Sequence, residues 1–159
     1  MLNIVQADLS IPQHAQAYLH LMSHYALDPM GGGEDISDFA KDNLVESILK
    51  RNDIFSVLIF KDQQPAALLT AIEGFSTFAC KPLFNIHDVV VHTDFRGQGL
   101  TPLLFSKIEE IARLRDCCKI TLEVLEGNQV AINAYSKLGF SEYLLDPEFG
   151  SALFWTKAL

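Results

Sequence analysis

A strand, a glycine loop and a helix follow one another between residues 85 and 114, and no other stretch constrains the fold as strongly. The apolar run at residues 89–91 predicts a strand, and the two glycines within residues 96–99 predict a loop. Proline suits the first turn of a helix, so we expect the helix to begin at Thr101 and Pro102. Its apolar residues share one face, which indicates packing on a sheet: Leu104, Phe105, Ile108, Ile111 and Ala112.

The glycine loop has the properties of a phosphate site. Glycine has no Cβ, so backbone N–H groups can approach an anion closely, and the unpaired donors and dipole of the following helix add to the attraction. Two common nucleotide loops do not fit. A P-loop needs Lys-Ser or Lys-Thr after its glycines, and a dinucleotide loop needs a third glycine where this chain has Pro102. A nucleotide-binding protein is therefore disfavoured.

Two blocks of this sequence resemble the signatures of the GNAT superfamily of N-acetyltransferases. The acyl-CoA loop of that family reads Arg/Gln-x-x-Gly-x-Gly/Ala after a central strand, and Thr101 replaces its last small residue. The matching residues are Arg96, Gly97, Gln98, Gly99 and Leu100. Residues 128–140 are similar to the second signature, N-x-x-A-x-x-x-Y-x-K-x-G-F. Both blocks occur in the family's order, with a strand-like run from Ile120 to Leu125 between them.

The passage before the central strand is similar to the diamine acetyltransferase branch of the superfamily. It contains Phe75-Ser76-Thr77-Phe78, and His87-Asp88 stands where that branch has a Glu-Asp pair. The resemblance covers residues 75–140 and is loose before them. It implies a GNAT fold of the mixed α/β class, with a single twisted, mostly antiparallel central sheet flanked by helices. It also implies an acetyl-CoA-dependent enzyme.

The resemblance further implies a binding site for acetyl-CoA. Strand N–H groups at Val89 and Val91 would hold the pantetheine arm, loop N–H groups would bind the pyrophosphate, and Arg96 would add charge or brace the loop. Asn128 and Asn133 would hydrogen-bond the cofactor arm. The full set of expected cofactor residues is Val89, Val90, Val91, Arg96, Gly97, Gln98, Gly99, Leu100, Thr101, Pro102, Asn128, Asn133 and Tyr135.

Acetyl transfer to an amine needs a proton acceptor for the amine and a proton donor for the departing thiolate. Tyr135 matches the family position from which a phenol reaches the CoA sulfur, although it also shares an apolar helical face with Ala131 and Leu138. His87 is our first candidate for the general base, because an imidazole accepts a proton near neutrality. Asp88 is a further catalytic candidate, with a structural role as the alternative; in a regular strand it would face the side of the sheet opposite His87, so at most one of the two would line the cleft.

Other residues keep alternatives open. Glu73 or a chain of waters could serve as the base in place of His87. Phe75, Phe78 and Glu73 are candidates for the acceptor pocket, with core packing as the alternative for the two aromatic residues. The acceptor itself is an amine of unspecified kind: a polyamine, an amino acid, an antibiotic or a protein N-terminus.

Length and charge narrow the class of protein. The 159 residues, 49% of them apolar, suit one domain spanning 1–159. A net charge of −8 argues against a nucleic-acid partner and mildly favours a cationic acceptor, although acidic soluble proteins are common.

No apolar run is long enough for a membrane span, and the N-terminus has no signal-peptide pattern, so we expect no membrane partner and a cytoplasmic location. Homodimers are frequent in the resembled family, but no residue pattern specifies an interface.

Cysteine and histidine spacing predicts no metal site. Cys80, Cys117 and Cys118 lack metal-ligand spacing, which fits reduced thiols. His20 and His24 are four residues apart on a predicted helix, a spacing that suits a metal, but no third ligand is evident in the sequence nearby.

The remaining elements follow from periodicity and turn residues. A glycine-rich connection at residues 28–35 separates the first two helices, and a C-terminal hairpin is expected around residues 146–150. The expected elements are a strand at 2–7, helices at 12–26 and 37–50, strands at 55–60 and 66–74, and hairpin strands at 141–145 and 152–158.

The sequence thus predicts an N-acetyltransferase that moves an acetyl group from acetyl-CoA to a primary amine of a small molecule, by direct attack in a ternary complex. The alternative is a non-catalytic acyl-CoA-binding sensor or interaction domain. Thr101 and the unsettled choice of base are the support for that alternative, which would bind acetyl-CoA without releasing a thiol.

Overall fold

Five strands form one sheet in the computed structural model, which describes all 159 residues. The strands lie in chain order; the first four are antiparallel to their neighbours, and the last pairs in parallel with the fourth. They are β1 (Leu2–Gln6), β2 (Ile54–Lys61), β3 (Gln64–Ser76), β4 (Lys81–Val91) and β5 (Ile120–Leu122). The predicted mixed α/β class with a mostly antiparallel sheet is confirmed.

Helices cover both faces of this sheet: α1 (Pro12–Leu27), α2 (Asp38–Leu49) and α3 (Leu100–Leu114). On one face, Tyr18 and Leu21 of α1 pack with Leu58, Leu68 and Val90, and α2 packs beside them. The strand residues that alternate with these, such as Val57 and Leu69, are also fully buried, and α3 packs against β2 and β3. Burial of both sheet faces explains why the strands read as nearly continuous apolar runs.

The predicted boundaries of the first two helices are confirmed within two residues. Ser37 caps α2, its hydroxyl accepting a hydrogen bond from the Ala40 N–H at 3.1 Å. The connection between the helices begins with a 3-10 turn, Pro29–Gly31, where the Asp28 carboxylate accepts from the Met30 N–H at 2.9 Å. None of the helices is both long and apolar enough to cross a membrane.

The chain divides into two compact units, Met1–Leu122 and Glu123–Leu159. The second unit contains one helix, α4 (Gln129–Lys137), and a 3-10 turn, Pro147–Phe149. The predicted C-terminal hairpin at 141–145 and 152–158 is wrong, because neither segment forms a strand. The Asp146 carboxylate and carbonyl instead accept the N–H groups of Glu148 and Phe149, which closes a local turn.

Candidate functional site

One edge of β4 carries backbone donors that no strand pairs with. The parallel partner β5 pairs with β4 only at residues 84–86, whereas β4 continues to Val91. The His92 N–H donates to the Ala66 carbonyl of the β3 side at 2.9 Å. Since backbone N–H directions alternate along a strand, the Val90 N–H also faces β3, and those of Val89 and Val91 face away from it. This edge can therefore bind a ligand's carbonyl groups much as a neighbouring strand would.

The glycine loop leads from this edge into α3. Gly97 and Gly99 have φ angles of 74° and 73°, in the left-handed region that favours glycine. Gly99 is the N-cap of α3, so the helix begins at Leu100, one residue before the predicted start. Because glycine has no side chain, no side-chain hydrogen bond caps the helix. Its first N–H groups are thus suited to bind an anion.

Arg96 braces this loop. Its Nη2 donates to the Asp28 carboxylate at 2.8 Å, and its Nε donates to the Val91 carbonyl at 3.2 Å. The Met30 N–H, and then the Arg96 guanidinium, lower the pKa of Asp28. The structure thus ties the loop to the end of α1 through a charged pair.

Lys61, at the end of β2, is a cation beside the same loop. Its ammonium donates to the side-chain oxygen of Gln98 and lies 5.9 Å from the centre of the Phe95 ring. Gln98 also donates to the Asp94 carbonyl at 3.2 Å. Sequence reasoning missed Lys61 because the sheet, and not any local motif, brings residue 61 next to residue 98.

A bulge in β4 lies at the proposed base. Thr70 of β3 pairs with Asp88 and Ala71 pairs with Ile86, which leaves His87 as the extra residue. His87 is exposed and Asp88 is partly buried. The alternation expected of a regular strand is therefore interrupted between these two residues.

Asp88 belongs to a polar chain on the α1 face of the sheet. Its carboxyl hydrogen-bonds Thr70, whose hydroxyl lies 3.0 Å from the hydroxyl of the buried Tyr18. Burial raises the pKa of Asp88, against the lowering effects of His87 and Thr70. Burial likewise raises the pKa of Tyr18 to about 12. A carboxyl with a raised pKa is better matched to proton transfer near neutral pH.

The three candidates for acceptor contacts lie on the long β3–β4 hairpin. The Glu73 carboxylate pairs with Arg115, whose Nη2 lies 3.0 Å from Oε1, and this pair lowers the pKa of Glu73. A carboxylate held in this way is a poor proton acceptor. Phe75 is 60% exposed and Phe78 is fully exposed. Core packing, the alternative for these two rings, is therefore wrong.

The second signature block forms α4 and its two caps. Asn128 is the N-cap, its side-chain oxygen accepting from the Ala131 N–H at 3.1 Å, which leaves the NH₂ group as its donor for a ligand. At the other end Gly139 has a φ of 91°, and the Phe140 N–H donates to the Tyr135 carbonyl at 3.0 Å. This is a Schellman motif, and the Phe140 ring packs edge-on against Tyr135 at 6.2 Å. Tyr135, Asn128 and Asn133 all belong to the second unit.

Residues 18–140 match the model of the acetyltransferase (GNAT) family. An uncharacterised N-acetyltransferase of Gracilaria tenuistipitata var. liui is 33% identical over 106 residues, which make up 65% of this chain and 53% of that protein. A thialysine N-ε-acetyltransferase of Mus musculus is 32% identical over 65 residues, 41% of this chain and 38% of that protein. The chain thus spans about half the length, or less, of these two relatives.

A solved structure shares the fold over its whole length. The complex of AAC(6')-Iy with the bisubstrate analogue CoA-S-monomethyl-acetylneamine has a TM-score of 0.76 to this chain and covers 100% of it and 99% of its own chain, at 17% sequence identity. The fold predicted from the two signature blocks is confirmed. No three histidine, cysteine, aspartate or glutamate side chains are grouped so as to hold a metal ion.

Proposed function

The chain belongs to the acetyltransferase (GNAT) family, and we propose that it transfers an acetyl group from acetyl-CoA to a primary amine of a small molecule. The amine attacks the thioester directly, in a ternary complex. The observation that carries the proposal is the continuous surface formed by the unpaired edge of β4, the glycine loop and the uncapped start of α3. Amide and phosphate groups of one extended ligand match these donors in that order.

The unpaired edge and the loop would divide the binding of acetyl-CoA between them. Outward N–H groups at Val89 and Val91 would bind the pantetheine arm and polarise the thioester carbonyl, while Val90 pairs with Leu68 of β3. N–H groups of the loop and of the helix start would bind the pyrophosphate, and Pro102 contributes no donor there. The remaining loop residues in this role are Gly97, Gln98, Gly99, Leu100 and Thr101.

Asp88 is the general base that the geometry favours over His87. The amine must lose a proton before or as it attacks, and a base works best with a pKa near the working pH. Burial moves the pKa of Asp88 in that direction, and Thr70 holds its carboxyl at the bulge. His87 is the adjacent candidate, exposed on the same bulge. Phe75 and Phe78 are retained as acceptor contacts because their rings are exposed, whereas the ion pair of Glu73 weakens its case.

Tyr135 would donate the proton to the departing thiolate. The Schellman motif supports this role, because it fixes the end of α4 and packs Phe140 against the ring that carries the phenol. Asn128 and Asn133 would hydrogen-bond the cofactor arm. Tyr135→Phe keeps the ring and removes the proton, so we expect kcat to fall about a hundredfold with an unchanged Kd for acetyl-CoA. An unchanged kcat would remove Tyr135 from the mechanism.

The acceptor is proposed to be a small cationic amine. The related mouse protein is named for thialysine, and the solved structure holds an acetylneamine analogue. The net charge of −8 attracts cations in general. An amino acid, a polyamine and an aminoglycoside all carry the required amine, and a protein N-terminus provides the contrasting macromolecular acceptor.

Calorimetric titration with acetyl-CoA tests the proposal. The double variant Gly97→Asp, Gly99→Asp places two carboxylates at the phosphate position, whereas Gly97→Asn, Gly99→Asn is its uncharged match. Aspartate and asparagine tolerate the left-handed region better than most other side chains do. The space around Gly97 and Gly99 is open. We expect saturable binding by the wild type, retained in part by the Asn pair and lost by the Asp pair.

A panel of amines, scored by thiol release, then separates catalysis from binding. Thiol release with one amine class identifies the acceptor. Binding without any thiol release would indicate the acyl-CoA sensor. If folded wild-type protein does not bind acetyl-CoA, both the transferase and the sensor hypotheses are wrong.

A further inference from the structure

The last two turns of α1 contact the segment that leads into the glycine loop through three imidazole rings. The Thr93 N–H donates to Nε2 of His24 at 3.3 Å. The ring of His92 stacks on His24, with centroids 4.2 Å apart, and on His20, with centroids 5.5 Å apart. The His20 and His24 rings lie at 21° and 25° to the plane of the His92 ring, so they stack on it.

The contacts of His24 and His92 need neutral rings. Nε2 of His24 can accept from Thr93 only when it carries no proton, and Nδ1 of His92 accepts the Asp94 N–H at 3.4 Å under the same condition. Protonation of His24 would convert its acceptor into a donor and break the hydrogen bond that joins Thr93 to α1. The pair of Arg96 with Asp28 is the other polar contact described between this segment and the end of α1.

The charged groups around His24 act mostly against its protonation. From α1 these groups are His20 and the Asp28 at its end, and from the segment after β4 they are His92 and Arg96. Burial, followed by His92, Arg96 and His20, lowers the pKa of His24, and only Asp28 opposes them. The Asp94 carboxylate lies 3.7 Å from Nδ1 of His92. The neutral, bonded state of His24 is therefore the stable one at neutral pH.

We propose that His24 is a positioning residue for the cofactor: its neutral ring, stacked on His92, clamps residues 92–96 to α1 and so holds the glycine loop in its binding conformation. Protonation of His24 releases the clamp. This inference rests on the proposed binding of acetyl-CoA at the loop.

The sign of the pH dependence separates a clamp from a simple charge effect. If the histidines acted only as charges, acidification would add cations near a phosphate and strengthen binding. A clamp gives the opposite result. The pKa of His24 is lowered in the folded protein, so its bonded state is fully present above the ordinary value of about 6.5 and is lost only as the pH falls through the lowered pKa of the folded state. Phosphomonoesters also titrate near pH 6, so a variant that does not titrate must be measured alongside.

The test is the Kd for acetyl-CoA at pH 8 and pH 5.5, for the wild type and three variants. His24→Gln keeps an acceptor near the position of Nε2 and cannot titrate, His24→Leu removes the acceptor, and His20→Gln changes the neighbouring ring that makes no hydrogen bond to Thr93. At pH 8 we expect a Kd near that of the wild type for His20→Gln, a smaller loss of affinity for His24→Gln, which keeps the acceptor without the stacked ring, and about fivefold weaker binding for His24→Leu. Between the two pH values the wild type should lose about fivefold more affinity than His24→Gln. An identical pH dependence in the wild type and His24→Gln, or tight binding by His24→Leu at pH 8, would overturn the clamp.

Hydrogen exchange without ligand tests the clamp independently of the cofactor. The Thr93 amide should be protected in the wild type and His24→Gln at pH 8 and unprotected in His24→Leu, after correction for intrinsic exchange. Equal protection in all three would refute the clamp. Failure of the folded wild type to bind acetyl-CoA at pH 8, with Thr93 protected as expected, would refute the proposed function and leave the clamp standing.

Discussion

Burial disfavours the charged form of the Asp88 carboxyl group. Because burial raises the pKa of Asp88 in the folded state, the ionised form opposes folding at pH values above the ordinary value near 3.8. Thr70 satisfies the carboxyl with a hydrogen bond but does not remove this cost. A residue retained at the expense of stability is a candidate for function.

Asp88→Asn should therefore separate activity from stability. The amide keeps a partner for Thr70 and removes the charge, so we expect an equal or higher melting temperature at pH 8, with the difference shrinking as the pH falls toward 4. The kcat should fall about a hundredfold or more, because an amide cannot accept the proton of the amine. His87→Gln is the matched control on the same bulge. Loss of kcat in the control alone would make His87 the base.

Lys61 is the second residue whose role the structure makes testable. Its ammonium group lies next to the glycine loop, where it donates a hydrogen bond to Gln98 and lies over the ring of Phe95. Lys61→Met keeps the length and removes the charge, so we expect about threefold to tenfold weaker binding of acetyl-CoA at 50 mM salt. Lys61→Arg should bind like the wild type. The difference in acetyl-CoA affinity between the wild type and Lys61→Met should shrink at 500 mM salt, since salt screens exposed charges. A difference in affinity that does not depend on salt would indicate a packing effect instead.

Among the elements, α4 shows how one signature serves both folding and chemistry. The spacing Y-x-K-x-G-F places glycine where the helix reverses and phenylalanine where it packs on the tyrosine ring. Part of what identifies the family is thus a helix C-cap. Asn128, Asn133 and Tyr135 are the residues of this block for which we propose contact with the ligand.

Gly139→Ala tests this division. A Cβ at a φ of 91° is strained although the space around it is open, so we expect a loss of about 1 kcal/mol of stability at the end of α4. Gly127→Ala is the matched control, because Gly127 is not among the glycines with positive φ and its surroundings are equally open. Hydrogen exchange of the Leu138 and Phe140 amides measures the effect. Unchanged protection in Gly139→Ala would refute the strain at this position.

At the scale of the whole molecule, sequence reasoning succeeded where local patterns determine structure. Apolar periodicity located the strands and helices of the first unit, and glycine and proline located the loops between them. It failed in the C-terminal segment, where neither of the two expected hairpin strands, 141–145 and 152–158, forms. It also missed the position of Lys61 beside the loop, the hydrogen bond between Tyr18 and Thr70, and the His24 contact with Thr93, because each depends on elements far apart in the sequence. The bulge at His87 was missed because a register shift has no signal in one strand alone.

The net charge of −8 makes a prediction that belongs to the whole molecule. Long-range attraction raises the encounter rate of cations and is screened by salt, whereas a zwitterion with no net charge feels little of it. For a diamine acceptor, kcat/KM should fall about threefold or more between 20 and 300 mM salt, while that of an amino-acid acceptor with no net charge should change little. Acetyl-CoA must be saturating in both series, so that salt effects on its own binding do not enter. Equal salt dependence for the two acceptors would show that the surface charge serves solubility alone, which would leave the choice of acceptor to the groups that line the site.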